Sequence, residues 1–220
     1  MPRKSNLLMV KAIIFDFWGT LVDQGVRSPL RQVQRMLGLY NLDFSDFVMQ
    51  FEEVFMTKRH ESLDEAFKEV CKAFNVRYDF RLLNDLVGMW NKNWMLANLY
   101  EDTLDGLDSL KARGFKLGLV SNTDNFSVEK VMEKFNLAGV FDAVVLSFDC
   151  GFLKTNPKMF ELVLGKLGVS KEDALMVGDS PQTDIEGAKN AGVKAVLMDR
   201  RDTRAWEDKI LCIADLDRFL

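Results

Sequence analysis

Short apolar runs punctuate this chain, and their alternation with helical patterns constrains its fold more than any other feature. They fall at 12–15, 115–120, 143–147, 174–177 and 195–198. Each is too short for a helix and apolar on nearly every residue, the reading of a strand buried on both faces. After the second run, helical patterns intervene at 127–135, 157–167 and 184–191, with Gly168 and Gly192 placed to end the latter two. A further helix over 107–111, closed by Gly114, precedes the second run, and a last helical turn falls near 216–220. Strands alternating with helices predict an α/β fold, a parallel sheet of about five strands with helices on both faces.

The alternation is interrupted once. Between the first and second runs lie four consecutive helical patterns. The first, 28–37, opens on Ser28 as N-cap with Pro29 at the first helical position. The second, 44–59, carries Phe47, Phe51 and Phe55 at four-residue spacing. The third starts at Ser62 with Glu65 in capping-box register and carries Phe67, Val70 and Phe74. The fourth, 80–98, holds Leu83, Val87, Trp90 and Trp94. Aromatic stripes of this kind read first as the buried seam of a helix bundle. The predicted organisation is a core domain of 9–21 and 99–220, an inserted all-helical unit of 22–98, and an N-terminal extension of 1–8, with Met9 as an alternative start.

Charge and composition narrow the function. The formal net charge is -4, from 29 basic and 33 acidic residues spread along the chain. No basic stripe marks a nucleic-acid partner, and no run approaches the about 18 apolar residues of a membrane span. The run Leu7-Leu8-Met9-Val10 is too short for a secretory segment. Cys71, Cys150 and Cys212 lack metal-type spacing and read as reduced thiols. A cytoplasmic globular protein is expected, as monomer or homodimer.

Polar residues stand at four of the strand ends. The first run ends in Asp16, with Thr20 just beyond; the second in Ser121, Asn122 and Thr123. Gly151 and Lys154 follow the third; Gly178, Asp179 and Ser180 end the fourth, with Asp184 close behind. Parallel strands bring such ends to one edge, where open α/β sheets bind ligands. Singly, a lysine near a helix start reads as surface, a Ser-Asn as a turn and an Asp after Gly as a cap. Together they match the needs of phosphoryl transfer: a nucleophile, an anion cradle and positive charge. A carboxylate can be that nucleophile when a cation offsets its charge. Asp16 and Asp179 would hold Mg²⁺, a hard ion taking few carboxylates beside water and phosphate oxygens. Lys154 and the Ser121 hydroxyl would hold the phosphoryl group of a small phosphorylated substrate.

In these motifs the chain resembles the haloacid dehalogenase-like hydrolase superfamily, in the branch with a helical cap inserted after the first motif. The likeness covers about residues 9–200 and rests on Asp16-Phe17-Trp18-Gly19-Thr20, Ser121-Asn122, Lys154 and Gly178-Asp179-Ser180 through Asp184. It implies a Rossmann-like core and a Mg²⁺-dependent phosphomonoesterase in which Asp16 is transiently phosphorylated. By the same resemblance, Asp16, the Trp18 backbone carbonyl and Asp179 would ligate the metal. Thr20, Ser121, Asn122 and Lys154 would bind the phosphoryl group, with Asp184, Ser180 and Gly178 in support. The cap would close over the site and carry selectivity.

One departure matters chemically. Phosphatases of the family generally place a second Asp two residues after the first, as general acid and base. Here that residue is Trp18, whose indole only donates and does not titrate. Such catalysis typically contributes about 10²–10⁴-fold. Three readings stay open. A phosphatase could be slow or borrow an acid from the helical unit, with His60, Glu52, Glu53 and Glu61 undistinguished as candidates. A 2-haloacid dehalogenase-like hydrolase needs no leaving-group proton, and Arg27, Arg31 or Arg35 could meet its substrate carboxylate. A binding module could keep the cradle without turnover. Asp179 and Asp184 favour the metal-dependent phosphatase. A smaller departure is Thr155 after Lys154, where Pro is usual; Pro157 is kept.

Overall fold

Successive residues of the first strand, β1 (Ala12–Phe15), point to opposite faces of a sheet, and both faces are buried. Ile13 and Phe15 join one apolar cluster with Leu117, Leu119, Leu175 and Val177. Ala12 and Ile14 join another with Val120, Met176, Phe160 and Val163. Burial on both sides explains why these runs are continuously apolar rather than alternating.

The computed structural model describes residues 10–220; the expected extension of 1–8 and the alternative start Met9 lie outside the described residues. The strands are β1, β2 (Val22–Asp23), β3 (Asn98–Leu99), β4 (Lys116–Ser121), β5 (Ala143–Leu146), β6 (Ala174–Gly178), β7 (Lys194–Met198) and β8 (Lys209–Ile210). Six form one sheet in the order β5-β4-β1-β6-β7-β8, with parallel neighbours throughout. Five of these were expected; β8 adds a sixth, and its two residues are too few to carry a period. The helices are α1 (Pro29–Met36), α2 (Phe44–Met56), α3 (Leu63–Ala73), α4 (Phe80–Leu96), α5 (Thr103–Ala112), α6 (Ser127–Lys134), α7 (Ser147–Cys150), α8 (Pro157–Leu167) and α9 (Glu186–Asn190). A wide π-type turn, Pro181–Ile185, occupies the start of the helix expected over 184–191.

Helices α1 to α4 leave the sheet through β2 and return through β3, which pair antiparallel, Val22 with Leu99. The expected aromatic seam is their core: Phe47, Phe51, Phe55, Phe67 and Trp90 are all buried together. Phe51 and Phe55 stack with centroids 4.8 Å apart, and Phe55 meets Phe67 and Trp90 at 5.0 Å. Trp94 differs from the expectation, packing with the sheet cluster instead. Ser62 caps α3 as its spacing predicts, accepting from Glu65 N at 3.1 Å. Ser28 does not cap α1: its backbone is left-handed, φ 49°, and its side chain makes no cap bond.

Candidate active site

The end of β1 fixes the first acid. Asp16 N–H donates to Val177 O at 2.9 Å, holding the residue beside the end of β6. The chain then doubles back: Gly19 N–H donates to Val22 O at 2.7 Å, and Val22 N–H to Phe17 O at 3.0 Å. Gly19 makes that turn at φ +79°, and a Cβ there would lie 2.5 Å from Asp179 Oδ2. Thr20 is buried and its hydroxyl donates to Asp16 Oδ2 at 3.2 Å. Arg200, just past β7, steadies the same turn. Its Nε and Nη2 donate to Thr20 O at 3.0 and 2.7 Å, while Nη1 holds Asp102 at 2.7 Å.

Lys154 joins the pieces. Its ammonium donates to Asp16 Oδ1 at 2.6 Å and also pairs with Asp184 Oδ1. Its backbone N–H donates to Asn122 Oδ1 at 2.9 Å, tying its loop to the end of β4. Asp184 is wholly buried and accepts Ser180 N–H on Oδ2 at 2.9 Å. A side chain at Gly178 would overlap the Asp184 carboxylate, so this close approach requires glycine. Carboxylate oxygens of Asp16, Asp179 and Asp184 all lie within 4.8 Å of one another.

The charges of this group are poorly balanced. Burial, resisted by Lys154, pushes Asp16 up to about 6. Burial and the neighbouring Asp16 and Asp184 push Asp179 up to about 8. Burial alone would lower Lys154, but Asp16 and Asp184 outweigh it and raise its pKa, so the ammonium stays charged. Three carboxyl groups, Asp16 and Asp184 buried and Asp179 half-buried, face one ammonium, which pairs with the two buried ones, a set that calls for further positive charge.

A cleft of about 1130 Å³ opens at these strand ends, lined by Asp16, Trp18, Asn122, Lys154, Asp179 and Ser180 among others. Ser121, Thr20 and Asp184 are buried, and the Ser121 hydroxyl, at the end of β4, has no hydrogen-bond partner among the described residues. The Trp18 indole faces the cleft and donates to Thr123 Oγ1 at 3.0 Å. Thr155 lines the cleft too, and Asn156 and Pro157 start α8 in the regular way, Asn156 accepting from Lys158 N at 3.1 Å.

The structure separates the four acid candidates on the helical unit. Glu52, on α2, lines the cleft and accepts Asn122 Nδ2–H on Oε2 at 2.8 Å. Burial, opposed by the Asn122 bond, raises its carboxyl to about 7. Glu53 reaches the same cleft but is exposed, and Glu61 is exposed outside it. His60 is packed inside the helical unit, 5.9 Å from the Phe55 ring and away from the cleft. Sequence reading could not single out Glu52, because adjacent glutamates on a helix read as a solvated face.

Known proteins resemble the chain over most of its length. The chain is 27% identical over 209 residues to glyceraldehyde 3-phosphate phosphatase from Methanothermobacter thermautotrophicus, covering 92% of this chain and 91% of that protein. It is 30% identical to phosphoglycolate phosphatase from Aquifex aeolicus, over 86% of this chain and 84% of the other. A crystal structure of a HAD phosphatase from Thermococcus onnurineus superposes with TM-score 0.62 at 26% identity, covering 96% of this chain and 97% of that one. The family model of haloacid dehalogenase-like hydrolases matches residues 10–192, most of the chain. With that coverage, and with the parallel sheet delivering its acids to one edge, the chain belongs to the haloacid dehalogenase-like hydrolases.

Proposed function

We propose that this protein is a phosphatase that hydrolyses a small phosphomonoester through a phosphorylated Asp16. The observation that carries this reading is the group formed by Asp16, Lys154, Asp179 and Asp184 at the strand ends. Relatives with phosphatase names over most of the chain favour it over the dehalogenase and binding-module readings.

The residues fit a hard divalent cation such as Mg²⁺. The candidate ligands are oxygens only, the carboxylates exceed the nearby positive charge, and the bare Gly19 leaves room against Asp179 Oδ2. Asp16, Asp179 and the Trp18 carbonyl would hold the ion. Bound there, it would neutralise charge between the carboxylates and an incoming phosphate. Asp184 holds Lys154, and Lys154 holds Asp16 in place for attack on phosphorus. Thr20 fixes the other Asp16 oxygen. The buried Ser121 hydroxyl has an unmet hydrogen bond that a phosphoryl oxygen would satisfy. Asn122 serves this cradle through its bond to Lys154 N.

The helical unit acts in this reading as a cap over the cleft, which it lines with Leu30, Phe44, Val48, Met49 and Met56. We take its division from the sheet domain as 22–98 against 9–21 and 99–220, a reading that the β2–β3 pair at its base supports. The test is hydrolysis of p-nitrophenyl phosphate by the whole protein. Turnover should require Mg²⁺ and disappear in Asp16→Asn; full activity in EDTA, or in that variant, contradicts the proposal.

A further inference from the structure

Trp18 leaves the reaction without an acid at the position where the family supplies one. We propose that Glu52, reaching the cleft from α2, is the catalytic general acid and base of this enzyme. The assignment rests on the phosphatase reading of the same site.

Geometry separates Glu52 from every rival. It is the one carboxylate of the helical unit that both lines the cleft with Asp16 and bonds a residue of the sheet's edge. That residue, Asn122, is itself bonded to the backbone of Lys154, whose ammonium holds Asp16. Three consecutive hydrogen bonds therefore set the position of Glu52 relative to the nucleophile. Asn122 occupies only Oε2, and no hydrogen bond from the described residues reaches Oε1. Trp18 cannot compete for the role, since its N–H is already given to Thr123.

The protonation state suits the task. The groups facing Glu52 are Asn122, Lys154, Asp16 and Asp184, with Glu53, Asp124, Asp179, Glu186 and Arg204 around the same cleft. Burial is the largest influence and raises the carboxyl to about 7, against the pull of Asn122 and Lys154. Near neutral pH, acid and carboxylate are both populated.

The chemistry balances in two steps. An Asp16 oxygen bonds to phosphorus as the bond to the alcohol oxygen breaks, and the Glu52 proton passes to that oxygen. The Glu52 carboxylate then takes a proton from water as the water oxygen bonds to phosphorus and the bond to Asp16 breaks. Alcohol and phosphate leave, and both residues return to their first state.

The test uses Glu52→Gln, which keeps an acceptor for Asn122 and removes the proton, with Glu53→Gln as control. Two substrates are compared: p-nitrophenyl phosphate, whose leaving group departs unprotonated, and glycerol 2-phosphate, whose alkoxide needs a proton. Glu52→Gln should lower kcat/KM for glycerol 2-phosphate by about 10²-fold or more, and leave that for p-nitrophenyl phosphate nearly unchanged. With p-nitrophenyl phosphate it should also show a burst of nitrophenol equal to the enzyme present, because the second step has lost its base. In the wild type, kcat/KM for glycerol 2-phosphate should fall as pH rises through the Glu52 pKa, and Glu52→Gln should lack that limb. Glu53→Gln should behave as wild type. Equal losses on both substrates, no loss on either, or the same selective loss in Glu53→Gln overturns the assignment. If wild type lacks Asp16-dependent turnover of p-nitrophenyl phosphate, the phosphatase reading fails and the assignment falls with it.

Discussion

A single methyl group at position 19 would test the proposed ion site without replacing any of its proposed ligands. Alanine there meets left-handed backbone, which costs about 1–2 kcal/mol for a residue with a Cβ, and its methyl would press on Asp179 Oδ2. Gly19→Ala should therefore unfold at lower temperature and lack the thermal stabilisation by Mg²⁺ that the proposed site predicts for the wild type. Asp179→Asn should also lose the Mg²⁺ shift. Without metal it should be at least as stable as wild type, because it removes a carboxyl whose ionised form burial and the neighbouring Asp16 and Asp184 disfavour. Differential scanning calorimetry with and without Mg²⁺ reads both, and an intact Mg²⁺ shift in either variant contradicts this account. At the residue scale, the placing of Asp16 and Asp179 at the sheet's edge was legible because standing at the end of an apolar run is a local property of sequence, and Lys154 could be placed nearby only through the loop after the third run. Glu52 was not, since its role comes from how α2 docks on the end of β4, which no local pattern records. Ser28 failed in the opposite sense: Ser-Pro has the composition of a cap, but Ser28 takes φ 49° and its side chain makes no cap bond.

The helical unit is held to the sheet domain by contacts of unequal worth. Trp90 on α4 donates its indole N–H to Asp124 Oδ2 at 3.1 Å, in a buried setting. The other Asp124 oxygen accepts Phe126 and Ser127 N–H at 3.0 and 2.9 Å at the start of α6. Arg59 pairs with Glu129 and Asp149 at 3.0 and 2.9 Å, but all three side chains are about half exposed. Removing one partner of a buried hydrogen bond costs about 1–3 kcal/mol, whereas an exposed ion pair contributes about 0–1 kcal/mol. Trp90→Phe should thus destabilise the protein more than Arg59→Ala in urea unfolding, and the reverse order would show that the surface pairs hold the unit. The long elements of this unit were legible from their four-residue aromatic spacing, with ends off by one to three residues. The β2–β3 pair that closes its base was not, because two-residue strands have no period to detect.

Taken as one molecule, the chain is only mildly acidic at -4, yet its cleft concentrates that charge. Asp16, Glu52, Glu53, Asp124, Asp179 and Glu186 line it against Lys154 and Arg204 as the basic residues among those described. A phosphate dianion entering alone meets net repulsion, since walls of low dielectric focus the field of like charges. A divalent ion bound by the same carboxylates reverses the sign at the point of entry. Phosphate and Mg²⁺ should therefore bind cooperatively, and linkage requires the two effects to be equal: whatever factor Mg²⁺ adds to phosphate affinity, phosphate adds to Mg²⁺ affinity. We expect a factor of about 10 or more, within the usual range of such couplings. Isothermal titration of phosphate with and without Mg²⁺, and of Mg²⁺ with and without phosphate, measures both sides of the cycle. Asp179→Asn should abolish the coupling, while Glu53→Gln, an exposed change at the cleft wall, should leave most of it in place. Phosphate binding of equal strength in EDTA would mean that Lys154 and Arg204 suffice to receive the anion, and that the acidic cluster serves something other than a cation.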